Sequence, residues 1–212
     1  MRYEKGHKDE TRRRVVEVAA RKFKKDGIEA TGIAGVMAEA GLTHGGFYAH
    51  FASKEDLIRS AIDSPPGRTA DAFAATALKA RGEGRDGLQA IVERYLRPLH
   101  RDHPENGCTA AALAPELGRL SKGPRQAFGE NIDGIIKVIA AEIPSQPSET
   151  AYATASAIFS LMMGALQLSR AVADPIRSEA LLVAGRGAAL ALGGRTTIDP
   201  RRPSPSSAKA GP

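Results

Sequence analysis

The sequence is poor in cysteine and in long apolar runs, and both shortages exclude classes of protein. Cys108 is the single cysteine among 212 residues, so no disulfide can form within the chain, and a reducing cytosol is the expected compartment. No run approaches the roughly 18 consecutive apolar residues of a membrane-spanning helix, and the N-terminus lacks the apolar core of a signal peptide. We therefore expect a cytoplasmic protein with no membrane partner.

Strand patterns and catalytic motifs are also missing. No segment alternates apolar and polar residues for long, and the sequence has no Ser-His-acid order, no glycine-rich phosphate loop and no recognisable pair of acids. His100, His103 and Cys108 have a spacing conceivable for zinc but lack a fourth ligand. These absences predict an all-α protein that is not an enzyme and has no metal and no cofactor.

The positive charge is concentrated at one end of the chain. Residues 1–25 hold ten basic and four acidic side chains, which accounts for the whole net charge of +6, and the remaining residues carry 20 of each sign. A cationic N-terminus on a neutral body indicates a polyanionic partner at that end. The alternative is a solvated tail and helix face.

Apolar residues at helical spacing and breaks at glycine and proline define the predicted helices. In the N-terminal part they predict helices over 11–25 and 33–40, a short helix from Thr43 to Phe51, and a fourth that Ser53 caps and that meets a break at residues 65–67. In the remainder they predict helices over 68–81, 86–101, 109–119, 122–142, 148–173 and 176–192. The residues after Gly194 have almost nothing to bury, which predicts disorder.

Two short helices on either side of a glycine turn, braced by a preceding helix, predict a helix-turn-helix. Gly41 suits the turn because glycine adopts positive φ without strain. Thr43 is placed to cap the following helix, where its hydroxyl can also meet a phosphate. Phe47 and Phe51 are four residues apart and are expected to face the core.

The outward face of that helix combines small residues with hydrogen-bonding ones. Gly45, Gly46 and Ala49 allow the backbone to approach base edges, and the Ala49 methyl can touch thymine. Tyr48 and His50 are expected to donate to phosphates, with Lys54 as a charge contact. Adjacent glycines cost a helix about 1 kcal/mol each relative to alanine, which favours a DNA-reading role over the alternative of a plain helical hairpin.

The stretch from Thr11 to Leu57 resembles the DNA-binding domain of the TetR family of regulators. The resemblance lies in residues 23–27, 38–43, 47–51 and 53–57. It implies an all-α homodimer with an N-terminal three-helix helix-turn-helix domain and a larger C-terminal helical domain for ligand binding and dimerisation. It also places DNA contacts at Thr43, His44, Gly45, Tyr48, His50 and Lys54.

Two positions depart from the family pattern in the second helix. Gly32 stands where a serine or threonine usually caps the helix and touches phosphate, so that contact is lost unless Thr31 replaces it. Met37 stands where alanine is common, and nearby glycines are expected to accommodate the larger side chain at the helix crossing. Neither departure removes the predicted function.

The C-terminal half is expected to supply the dimer interface and an effector pocket. The segment from Tyr152 to Arg170 is apolar on more than one face, and with Ala180–Leu192 it predicts a four-helix bundle with a second copy; the alternative is that both helices are core of a monomer. The residues that could line an apolar pocket, each otherwise plain core, are Tyr95, Cys108, Phe128, Phe159, Met162 and Met163.

Cys108 precedes a predicted helix start, where a thiol's pKa can fall. The Gly107-Cys108 dipeptide and the alanine-rich segment after it look similar to a TetR branch in which a cysteine at this position senses electrophiles or oxidants. The alternative is an inert, buried thiol that packs as a small apolar side chain.

We therefore predict a homodimeric repressor that a small molecule or electrophile releases from a palindromic double-stranded operator. The predicted domains are residues 1–57 for DNA binding, 58–193 for regulation and dimerisation, and 194–212 as a tail. The alternative is a ligand-independent architectural or activating DNA-binding protein. An operator gel shift with candidate effectors separates these two functions.

Overall fold

The computed structural model describes residues 2–64, 68–143 and 147–195, with side chains from residue 6 onward. The predicted breaks at residues 65–67 and Pro144 lie outside these ranges, as does the predicted tail beyond residue 195. Within them every regular element is helical and no strand occurs, which confirms the all-α fold class.

Ten α-helices and two short 3-10 helices follow one another in the described part of the chain. The α-helices are α1 Arg2–Asp26, α2 Ile33–Glu39, α3 Lys54–Asp63, α4 Thr69–Gly82, α5 Gly87–Tyr95, α6 Pro98–Asp102, α7 Thr109–Leu117, α8 Lys122–Ala141, α9 Ser148–Ala171 and α10 Pro175–Leu192. The 3-10 helices are His44–Ala49, between α2 and α3, and Pro104–Asn106, before α7.

The helix ends in the N-terminal part follow from local backbone chemistry. Gly27 ends α1 with φ of 88°, and Gly41 makes the turn after α2 with φ of 72°, a region that other residues enter only with strain. The Ser53 hydroxyl accepts a hydrogen bond from the Asp56 N–H at 3.1 Å and so caps α3. The glycine turn and the serine cap are therefore as predicted.

Three predicted elements differ from those observed. Helix α1 starts at Arg2, well before residue 11, because its polar first turns continue the helix without an apolar stripe. The helix after Thr43 is a 3-10 helix rather than an α-helix. The predicted helix over 86–101 is divided into α5 and α6 because Pro98 has no N–H and disfavours helical φ and ψ at Arg97, which is extended.

Two hydrophobic cores hold the helices together. The N-terminal core joins α1, α2, the His44–Ala49 helix and α3, and it also takes in Leu113 and Leu117 of α7 and Ala127 of α8. The larger core is formed by α4, α5, α8, α9 and α10 together with the start of α7. Because α3 runs to Asp63 and Ile58 and Ile62 belong to the N-terminal core, the boundary after residue 57 stays a prediction.

The junction of α5, α6 and α7 is built around the imidazole of His100. Its Nε2 accepts a hydrogen bond from the Cys108 N–H at 3.0 Å, and its Nδ1 lies 2.7 Å from the Tyr95 carbonyl oxygen. One nitrogen therefore accepts and the other donates, which requires the neutral imidazole with its proton on Nδ1. Burial lowers the pKa of His100 from 6.5 to about 4, against the hydrogen bond to Tyr95.

The turn at Gly41 gives a matched test of this backbone. A Cβ at Gly41 would touch nothing within 4 Å, so Gly41→Ala changes only the cost of positive φ and is expected to reduce the free energy of unfolding by about 1 kcal/mol. Gly129→Ala on α8 also meets open space but lies inside a helix, and should gain about 0.5–1 kcal/mol. Urea unfolding of both variants measures the difference; equal effects would contradict the turn geometry.

Acidification tests the neutral His100. Because the pKa of His100 is about 4 in the folded chain and about 6.5 when unfolded, the stabilisation is complete above pH 6.5 and is lost as the pH falls towards 4. The contribution reaches about 3 kcal/mol. Urea unfolding between pH 7.5 and 4.5 should therefore show a steeper loss for the wild type than for His100→Gln.

His103→Gln is the control for that comparison because His103 is exposed. It should retain the wild-type dependence on pH. A His100→Gln variant that lost as much stability as the wild type over this interval would show that His100 is not the group responsible.

Candidate nucleic-acid interface and adjoining cavity

The His44–Ala49 helix, which we call the reader, presents a polar and small-residue face to solvent. Thr43, His44, Gly45 and Ala49 are exposed, and 68% of the Tyr48 surface is exposed. Phe47 is buried beneath them and stacks on Phe51 with 5.4 Å between ring centroids. The inward aromatics and the outward face therefore lie as the spacing predicts.

Gly46 faces the helix crossing rather than solvent alone. It is half-buried, and a Cβ built on it would lie 3.7 Å from Cε of Met37 and 3.8 Å from the Thr43 hydroxyl. The fully buried Met37 thus occupies the space beside a residue that has no side chain. This is how the larger residue at the crossing is accommodated.

Thr31 and Lys54, two predicted DNA contacts, bond within the protein. Thr31 is buried, and its hydroxyl donates to the Gly27 carbonyl at 2.6 Å, so the structure does not bring it to the surface. Gly32 is the N-cap of α2 without a side-chain bond. The Lys54 ammonium donates to the Ile28 carbonyl at 2.6 Å, with two further N–H donors on the same group.

His50 ends the reader and is half-buried. Burial lowers its pKa below 6.5, and the nearby cations Lys8 and Arg12 lower it further, so the imidazole is neutral at pH 7. Its Nδ1 is buried without a hydrogen-bond partner among the described residues. In the free chain His50 is therefore an uncharged hydrogen-bonding group.

Arg12 of α1 holds the end of the reader in place, a role that the sequence patterns did not predict. Its guanidinium carbon lies 4.7 Å from the centre of the Phe51 ring, and it donates to the His50 carbonyl at 3.4 Å and to the Ser60 hydroxyl at 2.8 Å. It thus joins α1, the reader and α3. In the sequence Arg12 is one of ten basic residues near the N-terminus. Its charge alone does not show whether it packs within the protein or contacts phosphate.

A cavity of about 410 Å³ lies at the junction of α4, α5, α6 and the start of α7. Tyr95 and Cys108, two of the predicted pocket residues, line it. The other predicted residues lie elsewhere, in the large core or packed against it: Phe128, Phe159, Met162 and Met163. Their helical spacing predicts that these apolar residues are buried. It does not show whether they pack in the core or line a cavity.

The floor of the cavity holds two buried polar groups. The Tyr95 hydroxyl has no hydrogen-bond partner of good geometry in the described part of the chain. Burial raises the pKa of Tyr95 well above 10, and the neighbouring Cys108 thiol raises it further. Cys108 is itself buried and occupies the N-cap position of α7 without a side-chain cap bond.

Hydrogen bonds of three charged side chains connect α1, the loop after it and α3 to the C-terminal part of the chain. The Lys24 ammonium of α1 donates to the Gly107 carbonyl, next to Cys108, at 3.1 Å. The Glu116 carboxylate of α7 accepts from the Ile28 and Glu29 N–H groups at 2.8 and 3.0 Å. A Glu55 carboxylate oxygen of α3 accepts from the Ser121 hydroxyl at 2.6 Å.

Helix α10 carries an exposed apolar stripe. Ile176 and Val183 are 81% and 53% exposed, and Ala180, Ala184, Ala188 and Ala191 continue the stripe at helical spacing. Helix α9 is long and apolar enough by composition to cross a membrane, but it packs between α8 and α10. Its Leu168 side chain is exposed. The stripe is therefore an apolar surface that none of the described residues covers.

Among the described residues, no group of three histidine, cysteine or acidic side chains is placed to hold a metal ion. Both ring nitrogens of His100 are occupied by hydrogen bonds to backbone groups. The His100, His103 and Cys108 set thus lacks a free imidazole nitrogen at its centre.

Comparison with known proteins gives matches in sequence and in structure. The family model "Bacterial regulatory proteins, tetR family" matches residues 15–61. The HTH-type transcriptional regulator TtgR of Pseudomonas putida is 38% identical over 64 residues, which is 30% of each chain. The uncharacterized HTH-type transcriptional regulator YfiR of Bacillus subtilis is 37% identical over 60 residues, or 28% of this chain and 29% of its own.

Solved structures match over most of the chain. A TetR transcriptional regulator from Chloroflexus aurantiacus superposes with a TM-score of 0.71 and 25% identity, covering 92% of this chain and 98% of its own. The reduced form of NemR from E. coli gives a TM-score of 0.66 and 18% identity, covering 85% and 95%. The sequence matches span less than a third of the length of the curated relatives, whereas these two structural matches cover 92% and 85% of this chain. Residues 15–61 therefore match the tetR family of bacterial regulatory proteins, and the fold is similar to that of TetR regulators over most of the chain.

Proposed function

We propose that the protein is a homodimeric, sequence-specific transcriptional regulator that represses by binding a palindromic operator and is released by a small molecule. The observation that carries this proposal is the exposed face of the reader. It sits on two buried phenylalanines and is braced by Arg12, so that polar and small side chains face outward from a rigid base.

The glycine at position 45 supports an external contact. A Cβ there would meet no protein atom within 4 Å, and its φ lies outside the positive region. Neither packing nor backbone strain therefore demands glycine. The absence of a side chain on this exposed helix allows close approach of another molecule, and the major groove admits a helix to contact distance of the base edges.

The groups around this face suit the phosphates on either side of a groove. The exposed Thr43 and Tyr48 hydroxyls and the half-buried His50 are hydrogen-bonding groups, and Lys54 supplies a positive charge beside them. The basic residues of α1 add attraction for a polyanion without sequence preference. In this proposal Gly45 and Ala49 contact the bases, and the polar side chains contact the phosphates.

The apolar stripe on α10 supports dimerisation. A twofold axis would bring the stripe onto its own copy, burying Ile176 and Val183 in a helix bundle with α9. Two readers in one dimer would contact two half-sites about one helical turn of DNA apart, which is why the operator is expected to be palindromic.

Release by an effector is supported by the contacts between the cavity and α1. The Gly107 carbonyl that accepts from Lys24 belongs to the same short segment as the cavity-lining Cys108. A ligand that displaces this segment would shift α1, on which the reader depends.

Removing the Tyr48 hydroxyl tests DNA recognition. Tyr48→Phe should weaken binding to every DNA sequence by about 1.5–3 kcal/mol per half-site, because one hydrogen bond to a charged phosphate is lost. DNA selected in vitro by the wild type supplies the operator, and fluorescence anisotropy gives the affinities. His50→Ala should also weaken binding, without changing its salt dependence, since the imidazole is neutral.

Tyr152→Phe is the matched control, since Tyr152 lies on α9 and bonds to Asp133. It makes the same chemical change away from the reader and should leave the DNA affinity unaltered. Wild-type affinity in both Tyr48→Phe and His50→Ala would remove the assigned phosphate contacts.

A charge in the stripe tests the dimer. Val183→Glu should raise the dimer dissociation constant at least tenfold, because the interface would bury an unpaired carboxylate. Sedimentation equilibrium measures the constant. Leu78→Glu, on the exposed face of α4, should leave the dimer intact; an unchanged constant in Val183→Glu would place the interface elsewhere.

A further inference from the structure

We propose that the cavity takes an organic anion: a carboxylate with an aromatic or aliphatic body. This inference rests on the proposed effector-responsive function, for which it names the ligand class. It is carried by the distribution of charge around the cavity, which is one-sided in a chain whose C-terminal part carries equal numbers of acids and bases.

The rim of the cavity is cationic. Arg68, Arg94 and Arg97 line it, and none of the described residues that line it is acidic. Within the described residues Arg94 and Arg97 have no carboxylate partner, and Arg68 donates only its Nε, to the Asp63 carbonyl at 2.9 Å. Guanidinium groups bind carboxylates with two parallel hydrogen bonds, so this rim suits an anionic end group.

The inner wall of the cavity is formed by aromatic side chains, which are uncharged, unlike the arginines of the rim. Phe73 and Tyr95 meet edge to face with 5.6 Å between centroids, and the Tyr95 ring lies 4.6 Å from that of His100. His100 is neutral because both of its ring nitrogens are bonded to backbone groups. An apolar body in contact with these rings would lose its water without burying a charge.

Two buried residues, Tyr95 and Cys108, also line the cavity. The Tyr95 hydroxyl is buried without a good hydrogen-bond partner, and it lies beside the Cys108 thiol. The volume of about 410 Å³ is within the range of small-molecule sites.

The ligand class can be tested without DNA. Isothermal titration of the full chain with three acid and amide pairs, 4-phenylbutanoate, 2-naphthoate and octanoate against their primary amides, compares equal bodies with and without the charge. At least one acid should bind at least tenfold more tightly than its amide. Equal affinities, or no binding of any of the three acids, would overturn the proposal.

Two variants locate the charge recognition. Arg94→Gln combined with Arg97→Gln should reduce the preference for the acid to less than threefold. The control, Arg119→Gln combined with Arg125→Gln, changes two exposed arginines outside the cavity and should keep the tenfold preference. Acid preference that survives the first pair would overturn the assignment to this rim.

A third variant separates the cavity from the surface. Ala72 lines the cavity on α4, and Ala72→Phe should reduce acid affinity at least tenfold by filling the space. Unchanged affinity would mean that the acids bind exposed arginines only, and would overturn the proposal. An acid that binds as described to a protein without DNA affinity would support the ligand class while refuting the proposed function.

Discussion

Lys24 lies on α1 with 5% of its surface exposed, and its ammonium donates to the Gly107 carbonyl. Burial lowers the pKa of Lys24, and a charge held away from water needs close partners to remain there. The position of the Gly107 segment therefore constrains α1. Because α1 also carries Arg12, which holds the end of the reader, one helix contacts both the cavity-lining Gly107 segment and the reader.

The Gly107 segment is constrained from its other side as well. A Cβ at Gly107 would lie 2.5 Å from Nε2 of His100, so the imidazole packs directly against a residue without a side chain. Arg170 of α9 donates to the His100 carbonyl at 2.7 Å, and Arg186 of α10 donates to the Leu96 carbonyl at 2.5 Å. These arginines satisfy carbonyls left free where α5 ends and α6 turns, and they connect the cavity wall to the helices that carry the apolar stripe.

Most helices and the exposed face of the reader could be predicted from the sequence. The contacts that support the reader could not. The spacing of apolar residues and the residues that end or cap helices located most helices correctly. Gly27, Gly41 and Ser53 act through their own local backbone geometry, so a rule based on nearby sequence is sufficient for them. The division at Pro98 was missed although the proline was visible, because the helical spacing of apolar residues continues across it to Leu99. The true length of α1 was missed because its first turns have no apolar stripe.

The remaining errors concern which partner each polar side chain contacts. Thr31 and Gly27 are close in sequence, but nothing in the pattern said that the Thr31 hydroxyl would bond inward rather than face a phosphate. Arg12 with Phe51, and Lys24 with Gly107, depend on how α1 crosses its neighbours. The arginine rim lies on separate elements of the chain, so no spacing rule could bring Arg68 and Arg97 together.

The open space over Gly45 has a consequence for how such a protein changes over evolutionary time. A side chain added there meets no protein atom within 4 Å, whereas Phe47 directly beneath is fully enclosed. In the proposed function, mutations at position 45 would therefore alter which DNA is preferred while folding is preserved, whereas mutations at position 47 would cost stability. Selection would then act on the regulated genes through one exposed position without first restoring lost stability.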